Sequence, residues 1–133
     1  MPRRRDARRQ AIDILYQADV LGERPGEVAD EWEAAGRSVA PFARQLVDGV
    51  DAHLEALDAL LGEYAEGWTV ERMATLDRTI LRVACFEIRY RDDIPDAVAI
   101  DQAVEAAKEL STEDSGGFVN GLLGRIAREP GVR

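Results

Sequence analysis

The 133-residue chain is long enough to build one domain with its own core, and 46% hydrophobic with 6% aromatic residues suits an aliphatic helical interior. A formal charge of −9 argues against indiscriminate polyanion binding. A single cysteine, Cys85, excludes an intramolecular disulfide and fits a reducing cytoplasm, and no window approaches the roughly 18 apolar residues of a membrane span. The charge is uneven, however: five arginines and one aspartate give residues 1–9 a charge of +4 and leave −13 on the rest. Salt screens beyond about 10 Å, so a local basic patch on an acidic body still holds phosphates at short range.

No apolar run follows the first arginines, so a secretory signal is not expected. Ala7, Ala11, Ile14, Leu15, Ala18 and Leu21 recur at helical spacing and predict a buried stripe. Arg5, Arg8, Arg9, Ile12 and Tyr16 fall on the far side of the same wheel. One face of this first helix is expected in a core, and the other is expected to carry guanidiniums around a tyrosine. Arginine's planar, permanently charged fork matches phosphate, and an adjacent ring can stack on the bases of a single strand. A solvated basic tail, with Tyr16 in the core, is the plainer alternative.

Gly22 and Arg24-Pro25-Gly26 mark a loop, and a short amphipathic segment follows over Val28–Ala35. A long helix is then expected, N-capped by Ser38, with Pro41 in its first turn. Its stripe reads Phe42, Leu46, Val47, Val50, Leu54, Leu57, Leu61. Gly49 inside it costs about 1 kcal/mol relative to alanine, which a close helix crossing would explain. His53, the only histidine, is expected at a surface or partly packed position. Gly62–Gly67 interrupts the pattern, placing a boundary between an N-terminal subdomain (1–67) and a C-terminal one (68–133).

Thr75–Tyr90 is predicted as a helix apolar on two sides, which suits a central position. Phe86 points away from the main apolar face, near Arg78, Arg82 and Arg89 on the wheel. Glu87 projects into the apolar sector, where a carboxylate requires an arginine or backbone donors. After Asp92, Asp93 and Pro95, a helix from about Ala97 to Leu110 turns Ile100, Ala103, Val104, Ala107 and Leu110 inward. The last helix carries Phe118, Val119, Leu122, Leu123 and Ile126 and is N-capped by Asp114 or Ser115. Asn120-Gly121 inside it prefers turns, and such local contradictions mark candidate functional residues. The expected fold is all-α: roughly seven helices in two small subdomains sharing a continuous core.

One cysteine and one histidine cannot build a zinc site, and no Glu-x-x-His pair suits a di-iron bundle. No nucleophile–histidine arrangement and no glycine-rich phosphate loop after a strand is visible. Neither enzymatic activity nor a cofactor is expected.

The arginine-rich start with Ala11–Tyr16, Trp68, Asp77–Ala84 with Glu87, Pro95, Ala99–Lys108, and Glu113-Asp114-Ser115 with Phe118–Gly121 together resemble the NusB family of transcription antitermination factors. The resemblance spans nearly the whole chain and is weakest between about Gly22 and Ala40. Asp101-Gln102 departs from the usual Asn-Glu, and Gly116-Gly117 stands where bulkier or basic residues are common. It implies a non-catalytic cytoplasmic factor that binds boxA RNA of ribosomal RNA leaders with NusE, a small-subunit ribosomal protein, within an RNA polymerase antitermination complex. By position, Arg4, Arg5, Arg8 and Tyr16 would form the RNA patch with Asp114, Phe118 and Asn120, and the wheel adds Arg9. Phe118 either stacks on a base or packs in the core. Glu71, Asp77 and Arg89 are the positions to expect against NusE. Two rival readings are a protein-interaction scaffold with incidental arginines and the RNA-targeting module of a ribosomal RNA methyltransferase. The family includes monomers and homodimers, and dimerisation through the arginine helix would hide the patch.

Overall fold

Helical periodicity resolves into seven α-helices and one 3-10 turn, with no strand, among residues 3–128, the residues that this computed structural model describes. The expected subdomain limits at 1 and 133 lie outside them. The helices are α1 (Arg4–Leu21), α2 (Pro25–Ala34), α3 (Pro41–Ala52), α4 (Leu54–Tyr64), α5 (Thr75–Tyr90), α6 (Asp96–Leu110) and α7 (Ser115–Ala127), with the 3-10 turn at Val70–Arg72. Gly22 ends α1 at φ 70°, a left-handed conformation that glycine adopts without a Cβ clash, and its N–H caps the Ala18 carbonyl. Prolines open α2 and α3, where a missing N–H costs nothing.

Several expected boundaries differ: Pro25 and Gly26, expected in a loop, form the first turn of α2, and α4 runs through Gly62 to Tyr64. The helix expected from Ser38 begins at Pro41, because side-chain bonds from α1 hold the approach extended. Gln10 Nε2 donates to the Ser38 carbonyl at 2.7 Å, and the Ala40 N–H donates to Gln10 Oε1 at 2.8 Å. The same helix is also two. His53 takes φ −116°, ψ 19° and separates α3 from α4, so that α3 packs on α1 and α5 while α4 packs on α5 and α7. One straight helix could not serve both sets of neighbours. The His53 ring lies on the Tyr90 ring at 3.9 Å, partly packed as expected.

α5 is the central element. Every residue from Thr79 to Ile88 except Arg82 is buried, and α1, α3, α4, α6 and α7 all pack on it. Gly49 marks the closest crossing: a Cβ there would overlap the Phe86 ring, which is buried over α3 rather than left among the arginines. Two of those arginines are tie-rods. Arg78 holds Asp19 of α1 at 2.7 Å, and Arg82 holds Asp58 of α4 at 2.8 Å.

The wheel of α1 misplaces three residues. Arg8 and Ile12, assigned to the exposed side, are 6% and 4% exposed, because α3 and α5 together cover more of α1 than one apolar stripe suggests. Leu21, assigned to the core, overruns it and is exposed. Arg8 is the arginine that Glu87 requires: its Nε and Nη2 donate to Glu87 Oε1 at 2.9 and 2.7 Å. Burial pushes the Glu87 carboxyl up, while the hydrogen bonds and charge of Arg8 pull it back.

Removing one partner of a buried ion pair strands the other charge. Arg8→Met should therefore cost about 3–5 kcal/mol in urea denaturation, whereas Arg8→Met with Glu87→Leu should recover most of the loss. Gly49→Ala gains about 1 kcal/mol of helix propensity. It should nonetheless lower the melting temperature, since forcing the Phe86 ring aside costs about 1–3 kcal/mol.

Candidate nucleic-acid interface

The N-terminal half of α1 packs on α3 and α5 and reaches α6 and the α5–α6 turn through side chains across a narrow groove, and these bridges decide what its arginines can do. Arg5 is exposed; its Nε donates to Glu105 at 2.8 Å and its Nη2 to Glu109 at 3.4 Å. Arg9 is half-buried and donates to Glu109 at 2.9 Å. Arg4 is exposed, reaches Asp93 at only 3.5 Å, and lies 4.4 Å from the Phe42 ring centroid, a cation–π distance. Tyr16 is 39% exposed two turns beyond Arg9, on the same face as Arg5 and Arg9. Arg8 belongs to the pair beneath this surface and is not part of it.

The pairing leaves its mark on the titrations. A hydrogen bond from Arg9 holds the Glu109 carboxyl below the usual range, and one to Glu105 raises the Arg5 guanidinium. Asp93 is held down to about 2, chiefly by Arg91, whose Nε and Nη2 donate to it at 2.9 Å each. Arg4 is therefore a secondary partner of Asp93.

The C-terminal candidates lie apart from the arginines. Asp114 and Phe118 wall a groove of about 570 Å³ with Trp68, Arg72, Met73 and Asp77. Phe118 is half-buried and meets Trp68 edge-on at 6.5 Å, so it is neither a core residue nor a free one. Trp68, 53% exposed, gives the groove a large open aromatic wall. Asp114 occupies the N-cap position of α7 without a side-chain cap bond, and Ser115 turns inward instead, donating to Asp77 at 3.0 Å. Asn120 is exposed on α7, one turn beyond Gly116, which faces the Lys108 stem.

The three expected partner residues differ among themselves. Glu71 is exposed in the 3-10 turn. Asp77 accepts from both Ser111 and Ser115 and so braces the α6–α7 connection. Arg89 is half-buried, with Nε and Nη2 out of solvent and without hydrogen-bond partners among the described residues. Sequence reasoning missed Phe42 and Arg91. Phe42 read as stripe, yet it is half-buried and has Arg4, Arg8 and Arg91 within 5.4 Å of its ring centroid. An aromatic at the first turn of a helix just after a proline was the available signal. Among the described residues no cluster of metal-ligating side chains occurs, and no helix is long and apolar enough to cross a membrane.

An all-helical domain with arginines and an exposed tyrosine aligned on one helix, and with a separate groove walled by aromatics, has the make-up of a single-strand nucleic-acid binder. Comparison with known proteins narrows this class. A model of the NusB family matches residues 5–128, and the chain belongs to that family. A transcription antitermination protein NusB from Salinispora tropica is 49% identical over 131 residues, covering 96% of each chain. Among solved structures, T. maritima NusB superimposes with a TM-score of 0.87 at 35% identity, over 96% of this chain and 92% of that one. A chain in the crystal structure of antitermination factors NusB and NusE in complex with dsRNA has a TM-score of 0.83 at 28% identity, over 94% and 96%.

The geometry separates bracing residues from surface ones. Asp77→Ala strands two hydroxyls and should cost about 1–3 kcal/mol in urea denaturation. Glu71→Ala, at an exposed position, should stay within about 0.5 kcal/mol of the parent.

Proposed function

We propose that the chain is a non-catalytic cytoplasmic antitermination factor that binds boxA-type single-stranded RNA of nascent ribosomal RNA and acts with NusE in an RNA polymerase antitermination complex. The observation that carries this reading is the exposed row on α1, Arg5, Arg9 and Tyr16 with Arg4 beside it, in a chain of the NusB family. In this reading the guanidiniums hold phosphates and position the strand, while Tyr16, Phe118 and Asn120 meet bases. Asp114 sits at the entrance to the groove that Phe118 walls. Arg8 serves the patch indirectly, by fixing α1 against α5 through Glu87. Glu71, the outer edge of Asp77 and the Arg89 side of α5 form the proposed NusE-facing surface of a C-terminal subdomain. The NusB–NusE–dsRNA complex supports assigning RNA and NusE as partners. A homodimer closing over α1 would occlude the same row, so RNA binding in this reading requires α1 to be free of such a contact.

Arg5→Ala with Arg9→Ala should weaken boxA-type and scrambled RNA by similar factors, measured by fluorescence anisotropy, because phosphate contacts carry little sequence information. Stability should change little, since both side chains lie at the surface. Asn120→Ala should instead narrow the preference for boxA over a scrambled strand. If the parent binds both RNAs equally, with and without NusE, the sequence-selective reading falls.

A further inference from the structure

The arginines that the proposed function assigns to phosphate are not idle in the free chain. Arg5 Nε lies 2.8 Å from Glu105, Arg5 Nη2 lies 3.4 Å from Glu109, and Arg9 Nη1 lies 2.9 Å from Glu109. Glu105 and Glu109 stand one turn apart on α6 and present their carboxylates to α1 as a pair. From this geometry we infer that Glu105 and Glu109 are affinity-setting residues, internal stand-ins for RNA phosphate that a polyanion must displace from Arg5 and Arg9.

The chemistry follows from the fork geometry of guanidinium. Carboxylate and phosphate compete for the same in-plane N–H donors, so Arg5 cannot keep its Nε bond to Glu105 and also give that donor to a phosphate. Each surface pair is worth only a few-fold, so the pairs can be exchanged and do not lock the surface. Glu105 and Glu109 are 39% and 48% exposed at the side chain, which leaves a strand room to approach. The neighbouring charges fit the same picture. Asp93 is held chiefly by Arg91 and barely by Arg4, at 3.5 Å, so Arg4 is more open to a first encounter than Arg5 or Arg9. Glu87 is committed to Arg8 in the interior.

The displacement cost falls on every RNA alike, because phosphates are the same in every sequence. The two glutamates therefore leave the ratio between cognate and non-cognate strands unchanged and lower both affinities together. A sequence with base contacts to spare still binds, while a strand offering phosphates alone falls below a useful affinity. This gives an acidic chain of net charge −9 a second, local restraint on polyanion binding besides its overall field.

The inference rests on the proposed RNA-binding role of α1, and the experiment separates the two. The proteins are the parent, Glu105→Gln with Glu109→Gln, Arg5→Ala with Arg9→Ala, the fourfold combination, and a charge control with Glu31→Gln and Glu55→Gln, two exposed acids on other helices. Melting temperatures confirm that each is folded. Anisotropy titrations at one fixed salt concentration use boxA-type RNA, a scrambled RNA of equal length, and polyphosphate. The Glu105/Glu109 variant should bind all three about fivefold or more tightly than the parent. The fourfold variant should lose that gain, and the charge control should show less than half of it. A gain that survives removal of the arginines, or that the charge control matches, overturns the inference in favour of net charge. If the arginine variant weakens RNA and the glutamine variant gains nothing, the inference falls and the RNA role stands. If only the glutamine variant recruits the arginines to RNA, the RNA role of the native surface falls and the restraint stands. No change in any variant removes both.

Discussion

The bidentate bond between Arg8 and Glu87 is the constraint on which the arrangement of this molecule depends. Glu87 sits on α5, the helix that every other long helix except α2 touches, and its carboxylate is 1% exposed. A charge at that depth is tolerable only with a matched partner, and the partner is on α1. The pair therefore fixes the rotation of α1 about its own axis. Once Arg8 points inward, Arg5, Arg9 and Tyr16 have to point outward toward α6 and solvent. A buried interaction thus determines which residues an RNA could reach.

Around that pair the polar ties between helices are made largely by arginine. Arg78 and Arg82 tie α5 to Asp19 and Asp58, and Arg125 donates to the Tyr64 carbonyl at the end of α4, satisfying one of the acceptors a helix terminus leaves open. Arginine suits this work because its fork reaches across a helix–helix interface and stays charged when partly buried. The same residue type therefore fills two roles in one chain, internal strut and surface contact, and residue identity alone does not tell them apart.

That ambiguity sets the limit of what the sequence discloses. Helical spacing located α5, α6 and α7 closely, because long stripes such as Ile80–Ile88 leave little choice of period. The need of Glu87 for a cation was also legible, since its place in an apolar sector follows from the wheel alone. Its owner was not, because Arg8 lies at the margin of the α1 stripe and only the packing of α3 and α5 decides which side of that margin is covered. The division of α3 from α4 was hidden for a similar reason: the apolar stripe runs through His53 without interruption, and the bend answers to neighbours far away in sequence. The alignment of Glu105 and Glu109 with Arg5 and Arg9 is a long-range fact, as is the grouping of Phe42 with Arg4 and Arg91. Phe118 fits two readings from sequence, and its half-buried place against Trp68 shares something with each.

The contact between Gly49 and Phe86 has a consequence for how this sequence is able to change over time. The space beside α3 is filled by one ring and left empty by one hydrogen atom, so the two positions divide a fixed volume between them. A side chain gained at 49 forces the tip of the Phe86 ring aside, and trimming position 86 first leaves a cavity that costs at least as much, about 3–5 kcal/mol for truncation to alanine. Neither step is neutral alone, so a lineage keeps both residues or exchanges both together.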